Sequence, residues 1–137
     1  MAEARVFRFD EVPPVDRGEG ISTKPLVNKA VGSVHLTNGI TTFPPGAALR
    51  PHTHNCDESV TLIEGTGVVE IDGKRFAIRP FDTTFVPAGV AHRFLNTGDR
   101  PMRILWNYTS VEATRTFVDT GETVTHMTAG DKGGTRA

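Results

Sequence analysis

Short apolar-alternating stretches rich in Val, Ile, Thr and Phe, each ended by Gly, Pro, Asn or Asp after about six to twelve positions, run through most of this 137-residue chain. Alternation of that period sends successive side chains to opposite faces of a pleated strand, which predicts an all-β sandwich or barrel. Helical periodicity is nearly absent. Asn38-Gly39 and Asp72-Gly73 read as two-residue hairpin turns, because both central positions of a type I′ turn require positive φ. They would join strands at 33–37 and 40–43, and at 67–71 and 74–79, with Lys74 and Arg75 beside Asp72 as a solvated tip. Further strands are expected near 60–64, 83–86, 92–96, 102–108, 115–118 and 123–127, punctuated by Gly65, Pro87, Gly89, Asn96 and Gly98.

The length suits one domain with a substantial core. Residues 1–20 hold one small alternating patch, Val6 to Phe9, ahead of a Pro- and Gly-rich segment, and are expected to form an arm against the main sheet. Residues 21–127 would form the compact β unit. Residues 128–137 have almost nothing apolar to bury and are expected to be a disordered, flexible tail.

Fifteen basic residues against 16 acidic ones leave a net charge of −1, so no field favours a phosphate backbone or an anionic lipid surface. Nucleic acid and membrane are therefore not expected partners. No apolar run approaches the roughly 20 residues of a membrane span, and the start lacks a signal-like stretch, which predicts a cytoplasmic protein. Cys56 is the only cysteine, which excludes an internal disulfide and fits a reducing compartment.

Chemistry concentrates in GAALRPHTHNCDE (46–58) and PAGVAH (87–92), which hold three of the five histidines. His52 and His54, two apart, project to one side of an extended strand, and Glu58 and His92 add a carboxylate and a third imidazole. Imidazole and carboxylate together suit a first-row divalent ion. These four side chains are the predicted metal ligands. His35 and His126 stand alone and read as surface or structural residues.

With those residues in place, the chain resembles the cupin superfamily. Its first motif is G, five residues, H-x-H, three or four residues, E, six residues, G, and Gly46, His52, His54, Glu58 and Gly65 match every fixed position. Its second motif is G, five residues, P-x-G, two residues, H, three residues, N, where Pro87, Gly89, His92 and Asn96 match and Phe81 replaces the first glycine. The resemblance implies a double-stranded β-helix, the jelly-roll barrel, holding three His and one Glu around a metal ion, as a homodimer. It extends over roughly residues 20 to 127.

Extending the inward parity places Arg50 beside His52, either at the cavity mouth against a substrate carboxylate or solvated on the surface. The same alternation lines the pocket with Val60 and Phe94, with Phe43, Phe85 and Trp106 as further apolar wall. In 103–108 either Arg103, Leu105 and Asn107 or Ile104, Trp106 and Tyr108 face inward. Tyr108 would then be a candidate catalytic proton donor, or Asn107 a residue that orients substrate. Cys56 lies between predicted ligands, where a nearby cation would lower its thiol pKa; the alternative is a small loop side chain.

One divalent ion, Fe, Mn, Ni or Zn, is expected per chain, with open coordination positions for a ligand. The expected function is that of a metal-dependent enzyme acting on a small oxygen-rich molecule, the ion serving as Lewis acid or dioxygen activator. Dioxygenase chemistry is the first choice of reaction, isomerase or lyase the next. The competing class is a metal-containing barrel that binds or senses a small molecule without turnover. A single-chain transcription factor is disfavoured because no helix-turn-helix segment is present.

Overall fold

The computed structural model describes residues 2–137. Fourteen strands follow in chain order: Val15–Gly18 (β1), Ile21–Val27 (β2), Thr37–Phe43 (β3), Ala47–Leu49 (β4), His52–His54 (β5), Glu58–Glu64 (β6), Gly67–Ile71 (β7), Lys74–Ile78 (β8), Thr83–Val86 (β9), His92–Leu95 (β10), Met102–Tyr108 (β11), Thr114–Phe117 (β12), Thr123–Thr125 (β13) and Gly134–Arg136 (β14). Short 3-10 turns at Phe9–Glu11 and Lys29–Val31 are the helical elements. None among the described residues is long and apolar enough to cross a membrane.

All strand pairs described are antiparallel. One sheet runs β1-β2-β3-β11-β6-β9, and the facing sheet runs β13-β12-β5-β10-β4-β14, with the β7–β8 hairpin attached through β10. This is the jelly-roll barrel. Strict alternation produces it: β3, β11 and most of β6 bury every second residue, so Phe43, Leu62, Ile104, Trp106 and Tyr108 meet Phe94 and Leu49 of the other sheet. Each fully buried side chain of this kind contributes about 1.5–3 kcal/mol.

The Asp72-Gly73 turn forms as expected, with φ of 49° and 78° and Ile71 opposite Lys74. Asn38-Gly39 does not turn the chain. Both residues lie inside β3, whose partner is residues 21–27 and not 33–37. Gly39 pairs with Trp106 across β11, and a Cβ there would stand 2.6 Å from Trp106 Cζ2 and 2.8 Å from the Lys24 carbonyl oxygen. Glycine is present at this point for close approach, and the Asn38 side chain accepts the Val27 amide.

The C-terminal segment is ordered where disorder was expected. β14 pairs with β4, and Asp131 is buried. Low apolar content misleads here because the segment is held by backbone hydrogen bonds and one ionised carboxylate, not by an apolar face. Phe85 departs too: expected as pocket wall, it faces outward and is 63% exposed, whereas Phe43 is buried.

Phe81, standing where the motif has glycine, adopts φ of 75° and is 80% exposed. The left-handed region costs an L residue about 1–2 kcal/mol, partly offset in a glycine variant by the greater freedom of the unfolded chain. Phe81→Gly is therefore expected to raise stability by about 0.5–1 kcal/mol. A urea melt showing lower stability would contradict this account of the turn.

Candidate metal centre

β5, the start of β6 and the start of β10 bring His52, His54, Glu58 and His92 together inside the barrel, each no more than 5% exposed. His52 and His92 are direct cross-strand partners. Ring centroids lie 4.5–5.1 Å apart, and one ligand nitrogen from each of the three imidazoles falls within 4.8 Å of the others.

Each imidazole is oriented by the backbone. Nδ1 of His52 contacts the Arg50 carbonyl at 2.7 Å, that of His54 the Thr114 carbonyl at 2.9 Å, and that of His92 the Val90 carbonyl at 2.9 Å. A carbonyl oxygen only accepts, so Nδ1–H donates in all three, which leaves a lone pair on Nε2 wherever the ring is neutral. Yet His92 Nε2 lies 2.8 Å from Glu58 Oε1, and His54 Nε2 lies 3.7 Å from the same oxygen. In neutral rings lone pair faces lone pair there, a repulsion that a shared proton or a bound metal cation removes. His54 Nε2 is buried with no hydrogen-bond partner at all. These donors fit a divalent metal ion.

Burial favours the neutral form of His52 and His54. Burial, reinforced by Arg115 and the neighbouring imidazoles, pushes His52 well below the ordinary histidine value. Burial likewise brings His54 down to about 4, against the opposing pull of Glu58. Glu58 is itself buried, but the facing imidazoles and Arg115 outweigh desolvation and hold its carboxyl below the usual range.

Alternation resolves the 103–108 segment. Ile104, Trp106 and Tyr108 face inward, and Arg103, Leu105 and Asn107 face out. Asn107, considered for the pocket, therefore lines an outer groove with Leu36 and Phe85. Tyr108 packs its ring 4.7 Å from His54, and burial pushes its phenol upward, so it keeps its proton. Val60 and Phe94 are buried on the inner face, Phe94 edge-on to His92 at 6.4 Å.

Arg50 is not in the cavity. The break at Arg50 and Pro51 between β4 and β5 interrupts the parity, and the guanidinium stacks on Phe117 at 4.0 Å while gripping Asp119 at 2.6 Å. Cys56 is buried beyond the three-imidazole cluster, and burial raises its thiol pKa instead of lowering it. His35 is exposed. His126 is wedged edge-on against Trp106 and Tyr108 at 4.9 Å each, close to Asp131.

Sequence reading missed a buried charge network beside this centre. Arg115 of β12 is the cross-strand partner of His54, and its Nη1 donates to Asp131 at 2.9 Å. Arg17 of β1 donates to the Asp131 carbonyl and carboxylate and to Thr23. Arg115 shares the inward face of a predicted strand with Phe117, which was a usable signal. Arg17 and Asp131 lie in segments set aside as arm and tail, and no local pattern links positions so far apart.

Besides the outer groove at Asn107, which also touches Glu58 and Tyr108, two spaces lie near the centre. A cavity of about 10 Å³, bordered by His52, Glu58, Phe94, Trp106, Tyr108 and Arg115, has room for about one water molecule. Beyond Trp106 an open pocket of about 220 Å³ is lined by Pro25, Thr37, Ala113, His126 and Met127.

Comparison with known proteins follows the same lines. The chain is 29% identical over 107 residues to the tetracenomycin polyketide synthase protein TcmJ of Streptomyces glaucescens, covering 77% of this chain and 72% of that protein. It is 33% identical over 85 residues to a 5-nitrosalicylic acid 1,2-dioxygenase of Bradyrhizobium sp, covering 55% of this chain but only 41% of the dioxygenase. The solved polyketide cyclase RemF of Streptomyces resistomycificus superposes with a TM-score of 0.73 at 15% identity, over 95% of this chain and 90% of that one, a likeness of fold. The cupin domain model Cupin_2 matches residues 39–108, the stretch that supplies all four convergent side chains, and the chain belongs to that family.

Proposed function

We propose that this protein is a metal-dependent cupin enzyme acting on a small, oxygen-rich organic molecule, with His52, His54, Glu58 and His92 as ligands of one divalent ion, Fe, Mn, Ni or Zn. The observation that carries the reading is the set of three Nε2 atoms turned by backbone carbonyls toward one another and toward Glu58 in a buried interior. When bound, such an ion would supply Lewis acidity or a site for dioxygen activation.

The chain's own residues do the rest. Carbonyls of Arg50, Val90 and Thr114 hold the imidazoles in one tautomer and one orientation, while Val60, Phe94 and Trp106 exclude water. Tyr108, with its proton retained, stands as the donor to an oxygen of the substrate.

Dioxygenase chemistry is our first assignment, supported by the family's dioxygenase relative; isomerase or lyase chemistry stands next. Likeness to TcmJ over most of both chains favours a second reading of the substrate as a polyketide intermediate, itself rich in carbonyl and phenol oxygens. A homodimer in the cytoplasm is the proposed working form, and light scattering reads the first point directly.

The test is metal analysis of protein purified under anaerobic, reducing conditions, followed by oxygen uptake with a panel of enols, catechols and polyphenols. Bound Fe with oxygen consumed in step with substrate is the expected result. Zn or Ni with oxygen-independent turnover would replace dioxygenase by isomerase or lyase. Metal without turnover on any of the panel would leave the binding or sensing barrel as the function.

A further inference from the structure

Four ionised side chains sit inside the barrel at 5% exposure or less: Arg17, Arg115, Asp131 and Glu58. Their charges cancel. Imidazoles bind a cation only as neutral ligands, so a divalent ion among His52, His54, His92 and Glu58 would leave two positive charges in the interior with no further buried carboxylate among the described residues to offset them. Uncompensated charge in a dry interior is strongly unfavourable, and a negatively charged ligand removes it.

Unused donors mark where that ligand's charge would sit. Each guanidinium nitrogen of Arg17 has a partner, its Nε on the Asp131 carbonyl, Nη1 on Thr23 and Nη2 on the Asp131 carboxylate. Arg115 gives Nη1 to Asp131 and Nη2 to the Tyr108 oxygen at 3.4 Å, but its Nε is buried with no partner. The Tyr108 hydroxyl accepts from Arg115, and its own proton meets no acceptor among the described residues. Arg115 and Tyr108 both border the cavity of about 10 Å³ that also touches His52 and Glu58. Buried donors are almost always satisfied, and an anionic oxygen is the strongest acceptor for them.

We propose that the ligand of this centre is an oxygen acid in its anionic form, a carboxylate or an enolate, one oxygen of which enters that recess and takes hydrogen bonds from Arg115 Nε and the Tyr108 hydroxyl. Arg17 and Asp131 are positioning residues that hold the Arg115 guanidinium in place. The recess admits one oxygen atom and not a whole molecule, so it selects the charged end of the ligand. This inference rests on the metal-centre reading above and names its substrate class.

Formate and formamide, of equal heavy-atom count and differing in charge, test it on Co(II)-loaded protein, with the cobalt absorption band as readout. Wild type is expected to bind formate at least about thirtyfold more tightly than formamide. Tyr108→Phe and Arg115→Lys should each weaken formate by about tenfold, while formamide and Co(II) binding move by less than about twofold. Tyr108→Phe removes only a hydroxyl and carries the test should the arginine variant fail to fold. Equal binding of the two probes would overturn the anionic ligand, and a formate preference that survives both substitutions would overturn the Arg115 and Tyr108 recess as its seat, neither touching the metal centre. Failure to take up Co(II), seen in the same spectra before either probe is added, would overturn the metal centre on which it rests.

Discussion

His92→Ala is expected to abolish metal binding and turnover together while the barrel stays folded. The imidazole supplies one of four donors and is the one in closest contact with Glu58, at 2.8 Å. Even loss of groups that merely orient metal ligands costs about 10- to 100-fold in affinity, so loss of a ligand should exceed about 100-fold. Loss of the buried ring also costs the metal-free protein packing and the Glu58 contact, so stability alone does not identify a ligand. The distinguishing measurement is thermal unfolding with and without added metal. Wild type should gain stability in proportion to the logarithm of metal concentration, and the variant should not. A variant that still gains it, or that keeps full metal content, would remove His92 from the ligand set.

Asp131→Asn carries the largest expected loss of stability, about 3–5 kcal/mol, the usual consequence of removing one partner from a buried ion pair. Asp131 is 1% exposed and meets Arg115 at 2.9 Å, Arg17 at 3.2 Å and the Met127 amide at 2.9 Å. The near-isosteric amide leaves both guanidinium groups without their counter-charge. Urea unfolding at neutral pH measures the loss.

Linkage gives the same residue a second readout. Asp131 is buried, yet His126, Arg115 and Arg17 hold its carboxyl well below the ordinary range. A carboxyl depressed in the folded state contributes stability above its unfolded pKa of about 3.9, and that contribution is lost as pH falls toward the folded value. Wild type should therefore lose stability steeply below about pH 4, and Asp131→Asn should flatten that slope. An unchanged acid limb would show that the carboxylate's neighbours do not hold it as described.

Both predictions trace to how unevenly the molecule was legible in its amino acids. The convergence of His52, His54, Glu58 and His92 could be read because two short runs encode it: the i, i+2 spacing sets the face of a strand, and prolines and glycines set the direction of each run. The strands at 67–71, 74–78 (expected to 79), 83–86 and 102–108 were legible for a similarly local reason. Short runs of β-forming residues bounded by turn residues mark a strand whatever its burial, β8 being exposed along most of its length. Alternation alone did not say which side of 103–108 faced inward. That depended on the facing sheet, whose Leu49 and Phe94 join Ile104, Trp106 and Tyr108 in one buried core.

What the sequence by itself determined, then, is the all-β class, the Asp72-Gly73 hairpin and the clustering of four metal-type donors. Tertiary structure alone decided that Asn38-Gly39 lies within a strand, that Arg50 pairs with Asp119 at the surface, and that Arg17, Arg115 and Asp131 build a charged wall beside the imidazoles. The physical reason is range. Periodicity and turn chemistry act between neighbours in the chain, whereas close backbone approach and buried ion pairing join positions as far apart as 17 and 131, whose partnership exists only once the two sheets have closed on each other.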